Sequence, residues 1–260
     1  SAGFASLAGE AVMIVGQNRG HEAGKGDGWV RAGGFRKATR AFRLAAKFQL
    51  PIITLIDTAG AEPGLESEVD GLGHAIAECT ATMLEAPVPT IAVITGEGNS
   101  EAAVAMAVAD RVLMLDNAVY EVIRPEDAAA ILYGATDFAG EAAERLRITS
   151  HDCLRLGVVD ATVPEPGEGA HTDPDEAALL LRRSIVRELI RLRRQRPKRR
   201  LQARQRRYRE VASTRSWIRG TMERRLAHLL DRIGGAWDRL RGRSNLRRRI
   251  EFGENPDIPV

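Results

Sequence analysis

Residues 89–110 read PTIAVITGEGNSEAAVAMAVAD. The first seven are a continuous run of apolar and β-branched side chains, the pattern of a strand buried on both faces. Gly96 and Gly98 then mark a turn, and an Ala/Val/Met helix follows that is apolar on most sides and therefore buried. Upstream, 51–57 (PIITLID) repeats the buried strand, and 57–64 (DTAGAEPG) is a turn-rich loop at its end. Earlier still, 9–16 (GEAVMIVG) reads as a strand that runs into a glycine-rich loop over 17–34. Between them, 34–50 carries Phe35, Ala38, Phe42, Ala45, Ala46 and Phe48 on one helical stripe, and Pro51 stops it. Downstream, strands are expected at 111–116, 118–123 and 157–166. Helices are expected at 67–86, 125–134, 138–147, 150–156 and 173–208, the last with a kink at Pro197. Strands that alternate with helices and lack an in/out alternation of their own define an α/β body with helices on both sheet faces. Ligands in such bodies sit outside the carboxyl ends of the strands. The loops at 17–34, 57–64 and 96–99 all follow a strand and should converge on that edge.

Composition narrows the class. The 260 residues are 44% hydrophobic and 28% charged but only 5% aromatic. That balance excludes collagen-like, disulfide-scaffold and wholly disordered chains. No apolar run approaches a membrane span, and the N-terminal stretch SAGFASLAGE lacks the basic and apolar regions of a secretory signal. Cys79 and Cys153 lie too far apart for a metal knuckle, so a reduced, cytoplasmic setting is expected. The net charge of +3 conceals an asymmetry: residues 1–181 carry −14 and residues 182–260 carry +17. This shift divides the chain into an expected body, 1–181, and an Arg-rich helical extension, 182–260. The densest run, RLRRQRPKRRLQARQRRYR at 191–209, has 11 basic residues in 19. Nucleic acid is one partner for such a run. An acidic protein surface, the chain's own or a partner's, is the other, and the scarcity of aromatic side chains for base stacking favours it.

Several ordered motifs resemble one family. Asp57-Thr58-Ala59-Gly60-Ala61-Glu62-Pro63-Gly64 matches D-T-P-G-A-x-P-G with Ala59 in place of one proline. Arg124-Pro125-Glu126 through Leu132 matches S-P-E-x-x-A-x-I-L, and Pro164-Glu165-Pro166-Gly167-Glu168-Gly169-Ala170-His171 matches P-E-P-x-G-G-A-H. In these motifs the chain resembles the carboxyltransferase α subunit of bacterial acetyl-CoA carboxylase, over about residues 3–195. The resemblance implies a crotonase-like (crotonase/ClpP-like) ββα spiral. It also implies a site shared with a β-type carboxyltransferase subunit in a hetero-oligomer, and transfer of carboxyl from biotin on a biotin carboxyl carrier protein to an acyl-CoA. No metal is expected on this chain, because the family's zinc ribbon, where present, belongs to the β subunit. Gly60, Ala61, Gly64, Arg36 and Lys37 become candidate substrate contacts, the two cations for CoA phosphates or the carrier.

The chain departs from the family where two oxyanions, a thioester enolate and a ureido oxygen, would need backbone N–H groups at a helix N-terminus. The family writes G-E-G-G-S-G-G-A; this chain writes Gly96-Glu97-Gly98-Asn99-Ser100-Glu101-Ala102-Ala103. Gly98, Asn99, Glu101, Ala102 and Ala103 are therefore the candidate catalytic turn. Three readings follow: a hole reshaped around Asn99 for a related acyl-CoA, a catalytically degenerate subunit that serves assembly, or Glu101 as a new acid/base group. Returning positions 99 and 101 together to glycine is expected to raise transfer under the first. His21 is expected to be an exposed loop histidine rather than a ligand or base, and His74 and His171, with no identifiable partner, to be structural. Asp57 is expected to cap its own turn, and the two cysteines to be buried small hydrophobes.

Overall fold

The computed structural model describes residues 1–17 and 28–210; His21 and most of the expected glycine-rich loop lie outside the described residues. The chain begins with strand β1 (Ala2–Leu7), β2 (Glu10–Gly16) and a two-residue β3 (Trp29–Val30). Helix α1 (Ala32–Lys47) leads to β4 (Ile52–Thr58) and the short β5 (Gly60–Ala61). Helices α2 (Leu65–Val69) and α3 (Leu72–Glu85), β6 (Thr90–Asn99) and α4 (Ser100–Ala107) follow, then β7 (Arg111–Leu115) and β8 (Val119–Glu121). The remainder comprises α5 (Pro125–Tyr133), α6 (Ala139–Leu146), α7 (Ser150–Leu156), β9 (Ala161–Val163), α8 (Pro174–Arg193) and α9 (Pro197–Glu210).

The main sheet runs β1-β2-β4-β6-β7-β9, with β8 added beside the far end of β6. Every pairing from β2 onward is parallel; only β1 is antiparallel, returning through the left-handed Ala8 and Gly9. The apolar strand runs are buried on both faces as expected: Ile52, Ile53, Ile56, Ile91, Val93, Ile94 and Leu113 are almost wholly inaccessible. Helix α1 contributes Phe35, Ala38, Phe42 and Ala45 to that core. Phe48, expected on the same stripe, lies past the helix end, exposed, edge-on to Phe4 of β1.

Two expected helices change shape. The helix over 67–86 is split at Gly71, where α2 ends and α3 begins. The helix over 173–208 is broken outright: α8 stops at Arg193 and α9 restarts at Pro197. Proline offers no N–H to the preceding turn and keeps its neighbour out of helical geometry. Asp173 caps α8 by accepting the Glu176 N–H at 3.0 Å, with Pro174 following at the first helical position. Residue 181, expected to close the body, falls inside α8.

Three arginines of the run, Arg200, Arg204 and Arg207, turn inward, while its other basic residues are exposed. Arg204 is fully buried: Nε and Nη2 donate to the two carboxylate oxygens of Asp110 at 2.8 and 3.0 Å, and the guanidinium also reaches the carbonyls of Met83 and Val88. Arg200 donates to the Pro87 carbonyl at 2.7 Å, and Arg207 to Asp160 at 2.6 Å. The Tyr208 hydroxyl donates to the carbonyls of Ala107 and Ala109, at 2.8 and 3.0 Å. Beneath α8, the buried Glu188 carboxylate takes Arg111 at 2.8 Å and Arg191 at 2.9 Å. This face of 191–209 thus docks on the chain's own acidic body. Among the described residues no helix is long and apolar enough to cross a membrane.

Candidate functional site

The carboxyl ends of β2, β4 and β6 meet at one edge, as the strand-then-glycine pattern requires. The Gln17 side-chain amide, just after β2, donates to the Ala102 carbonyl of α4 at 3.3 Å. Between β4 and β6 the register shifts from Ile56 to Thr58, and Asp57 Oδ1 accepts the Glu97 N–H at 3.1 Å. Asp57 therefore ties two strand ends together. The cap of its own turn falls to Thr58, whose Oγ1 accepts the Gly60 N–H at 3.1 Å and donates to the Gly28 carbonyl at 2.9 Å.

The candidate catalytic turn sits where β6 becomes α4. Gly98 pairs with Thr58 on one side and Tyr120 on the other. A Cβ there would stand 3.0 Å from the Tyr120 ring, 3.2 Å from Ile94 and 3.4 Å from the Val119 carbonyl, so any larger residue would press its neighbours back by a few tenths of an ångström. Ser100 is left-handed, with φ at 59°. That conformation costs a non-glycine residue about 1–2 kcal/mol. The first N–H groups of an α-helix have no carbonyl partner within it, and the Asn99 side chain does not cap them. The positive end of α4 is thus left for another acceptor.

The substitutions at this turn fall in three different places. Ala102, like the unchanged Ala103 beside it, is a fully buried member of the core, so its methyl group fills core rather than the approach to the helix end. Glu101 lies on the exposed side of the first turn, and its carboxylate accepts the Ser100 hydroxyl. Asn99, 4% exposed, lines a cleft of about 140 Å³ with Ser100, Ala59, Ala61, Trp29 and Arg124. A second cleft of about 280 Å³ lies beside it, walled by Val15, Phe35 and Met106, with Lys37 and Asp57 on its lining.

The remaining candidates divide as follows. Gly60 and Ala61 form β5, paired in parallel with Trp29 and Val30, and Ala61 reaches the smaller cleft. Lys37 lines the larger cleft. Arg36 and Gly64 are in neither lining. Arg36 holds Asp70 at the end of α2, with carboxylate contacts at 3.1 and 3.2 Å, and Gly64 precedes α2.

Two nearby residues escaped the sequence reading. Trp29 lines both clefts; it stands inside the glycine-rich segment with no pattern of its own to mark it. Glu121 is buried in β8, in register with Asn99. Burial, then the charges of Glu97 and Glu126, push its carboxyl up to about 7, and no sequence pattern marks it. Burial likewise pushes the Cys79 and Cys153 thiols up to about 11, so both are buried small hydrophobes as expected.

Comparison with known proteins agrees with this architecture. The family described as acetyl co-enzyme A carboxylase carboxyltransferase-like matches residues 1–212. The acetyl-coenzyme A carboxylase carboxyl transferase subunits beta/alpha of Salinispora arenicola are 50% identical over 192 residues, 72% of this chain and 34% of that protein. The corresponding subunit alpha of Zymomonas mobilis is 44% identical over 191 residues, 72% of this chain and 61% of that protein. The chain thus spans about a third of the fused relative and under two thirds of the separate subunit. Among solved structures, a Pseudomonas malonate decarboxylase hetero-tetramer in complex with malonate superimposes with a TM-score of 0.66 at 16% identity, over 88% of this chain and 90% of that one. Transcarboxylase 12S superimposes with a TM-score of 0.63 at 23% identity, over 75% of this chain and 37% of that one. These likenesses bear out the crotonase-like ββα fold, and the family match makes the chain a member of the acetyl-CoA carboxylase carboxyltransferase-like family.

Proposed function

We propose that this chain is the α-type half of a biotin-dependent acyl-CoA carboxyltransferase, working in a cytoplasmic hetero-oligomer with a β-type subunit and a biotin carboxyl carrier protein. The observation that carries the reading is the uncapped N-terminus of α4 beside the smaller cleft, on the strand-end edge of a fold shared with carboxyltransferases. Carboxybiotin would supply the carboxyl group. The chain's own contribution is electrostatic. The first-turn N–H groups of α4 and the amide of Asn99 are oriented before reaction, and they favour negative charge developing on a thioester oxygen over the neutral ground state. The tight packing around Gly98 fixes that turn, so no reorganisation is needed as charge appears.

The structure separates Asn99 from Glu101, and the joint glycine replacement is better made singly. Asn99→Gly removes a donor at the cleft and should lower kcat by about 10²-fold, the usual cost of one oxyanion donor. Glu101→Gly removes an exposed negative charge near the helix end and should leave kcat equal or higher. The assay is transfer between a free biotin derivative and acetyl-CoA, with the chain reconstituted beside a β-type subunit. Loss of activity in Glu101→Gln would instead make Glu101 an acid or base. The reading of a catalytically degenerate assembly subunit rests on the Ser100–Glu101 contact, which occupies the hydroxyl at the turn. It predicts that neither variant changes anything while the complex still forms.

A further inference from the structure

Among the described residues, Trp29 is the one side chain common to both cleft linings. On one side of it is the polar turn of Asn99 and Ser100; on the other are the apolar walls Val15, Phe35 and Met106. Two features fix the ring. Trp29 is paired in register with Gly60, and a Cβ on Gly60 would stand 2.9 Å from its Cζ3, so the indole lies against bare backbone. The preceding residue is anchored as well: the Gly28 carbonyl accepts the Ala59 N–H at 3.0 Å and the Thr58 hydroxyl at 2.9 Å. Gly60 also has its φ at 127°. No side chain is tolerated there without strain, so the contact depends on glycine twice over.

We infer that Trp29 is a specificity-determining partition that limits the acyl-CoA to a short acyl chain. The inference rests on the proposed reading that the thioester sits at the α4 turn. The cleft on that side has a volume of about 140 Å³. That is close to the size of a cavity that takes benzene, enough for a thioester carbonyl and a few carbons. A longer chain must continue through the space the indole occupies to reach the larger apolar cleft. Replacing the indole by a methyl group would join the two clefts and give such a chain an apolar path.

The test uses the full chain in its native assembly and compares acetyl-CoA with octanoyl-CoA, by calorimetric binding and by kcat/KM in the transfer assay. The native assembly should favour acetyl-CoA by at least about tenfold in kcat/KM, and Trp29→Ala should lower that ratio by about tenfold or more. Trp29→Phe, a smaller ring, should fall between them, and it keeps the question decidable if the alanine variant does not fold. A ratio that stays the same in both variants, or a native assembly with no preference, overturns the partition while leaving the carboxyltransferase reading in place. Failure of the native assembly to bind either acyl-CoA overturns that reading, and the partition with it.

Discussion

Arg204 offers the sharpest test of how the basic run is used. Its guanidinium is fully buried 94 residues away in sequence from Asp110, whose side chain is 3% exposed. Replacing Arg204 by alanine leaves Asp110 with the Thr90 N–H at 2.9 Å, the Thr90 hydroxyl at 3.2 Å and the Arg200 Nε at 3.5 Å. The buried Val88 carbonyl loses this donor as well, and the Met83 carbonyl is left with the Ala86 N–H at 3.4 Å. Removing one partner of a buried ion pair costs about 3–5 kcal/mol, because the other charge remains out of water. For a folded unit of this size each kcal/mol moves the midpoint by about 2–4 °C, so Arg204→Ala should lower Tm by on the order of 10 °C. Thermal and urea unfolding read this directly. Arg209 lies on the exposed side of the same helix. Arg209→Ala should therefore change stability by no more than about 0.5 kcal/mol. Arg204→Met with Asp110→Asn should recover part of the loss, since the buried charge is gone and an acceptor for Thr90 remains. A loss below about 1 kcal/mol in Arg204→Ala would refute the docking argument.

Other outcomes follow from the same structure. The carboxyl of Glu121 is raised to about 7, above its ordinary 4.5, so the stability of the folded chain should fall as pH rises from 4.5 through 7 and then level off. Glu121→Gln should therefore gain about 1–2 kcal/mol at about pH 8, after discounting for solvent screening, and almost nothing at about pH 4; urea midpoints that run parallel across pH would contradict this. The methyl of a Gly98→Ala variant meets neighbours at 3.0, 3.2 and 3.4 Å. That change should cost about 1–3 kcal/mol, and an unchanged Tm would show that the turn has slack. Cys79 and Cys153, buried and with thiols raised to about 11, should react with a disulfide reagent at neutral pH only after unfolding; rapid labelling of the native chain would contradict their placement.

Continuous apolar runs made β4, β6 and β7 legible, because a strand covered on both faces has to be apolar at every position. Strand β1 (AGFASL) was invisible for the opposite reason. It is the exposed edge of the sheet and buries too little to impose a pattern, so only its ladder with β2 defines it. The basic run was legible as charge but not as direction. Whether an arginine points outward depends on Asp110 and Asp160, which sequence separates from it by 94 and 47 residues and folding brings to 2.8 and 2.6 Å. The same limit hid Trp29: a tryptophan inside a glycine-rich segment carries no signal of its own until β3 pairs with β5 and sets it against Gly60. Asp57 was legible as a turn residue, but the bulge after Ile56 carries it to the neighbouring strand and leaves the turn to Thr58.

The altered turn at 98–103 shows why a motif comparison overstates some changes and understates others. Read as letters, the Gly→Ala departure at 102 weighs the same as Gly→Asn at 99 and Gly→Glu at 101. In three dimensions the first turn of α4 distributes them by direction. Positions 102 and 103 face the core, where a methyl group adds apolar burial and takes nothing from the backbone N–H groups. Position 101 faces outward, where a carboxylate near a helix N-terminus is favoured by the dipole and is screened by water. Of the changed positions only 99 lines the cleft, and there the replacement is an amide, a hydrogen-bond donor. The glycines packed most tightly in this stretch, Gly96 against Asp57 and Gly98 against Tyr120, are both kept. Under the proposed reading, Asn99 is thus the one changed position placed to meet the substrate, and activity should respond to position 99 far more than to 101 or 102.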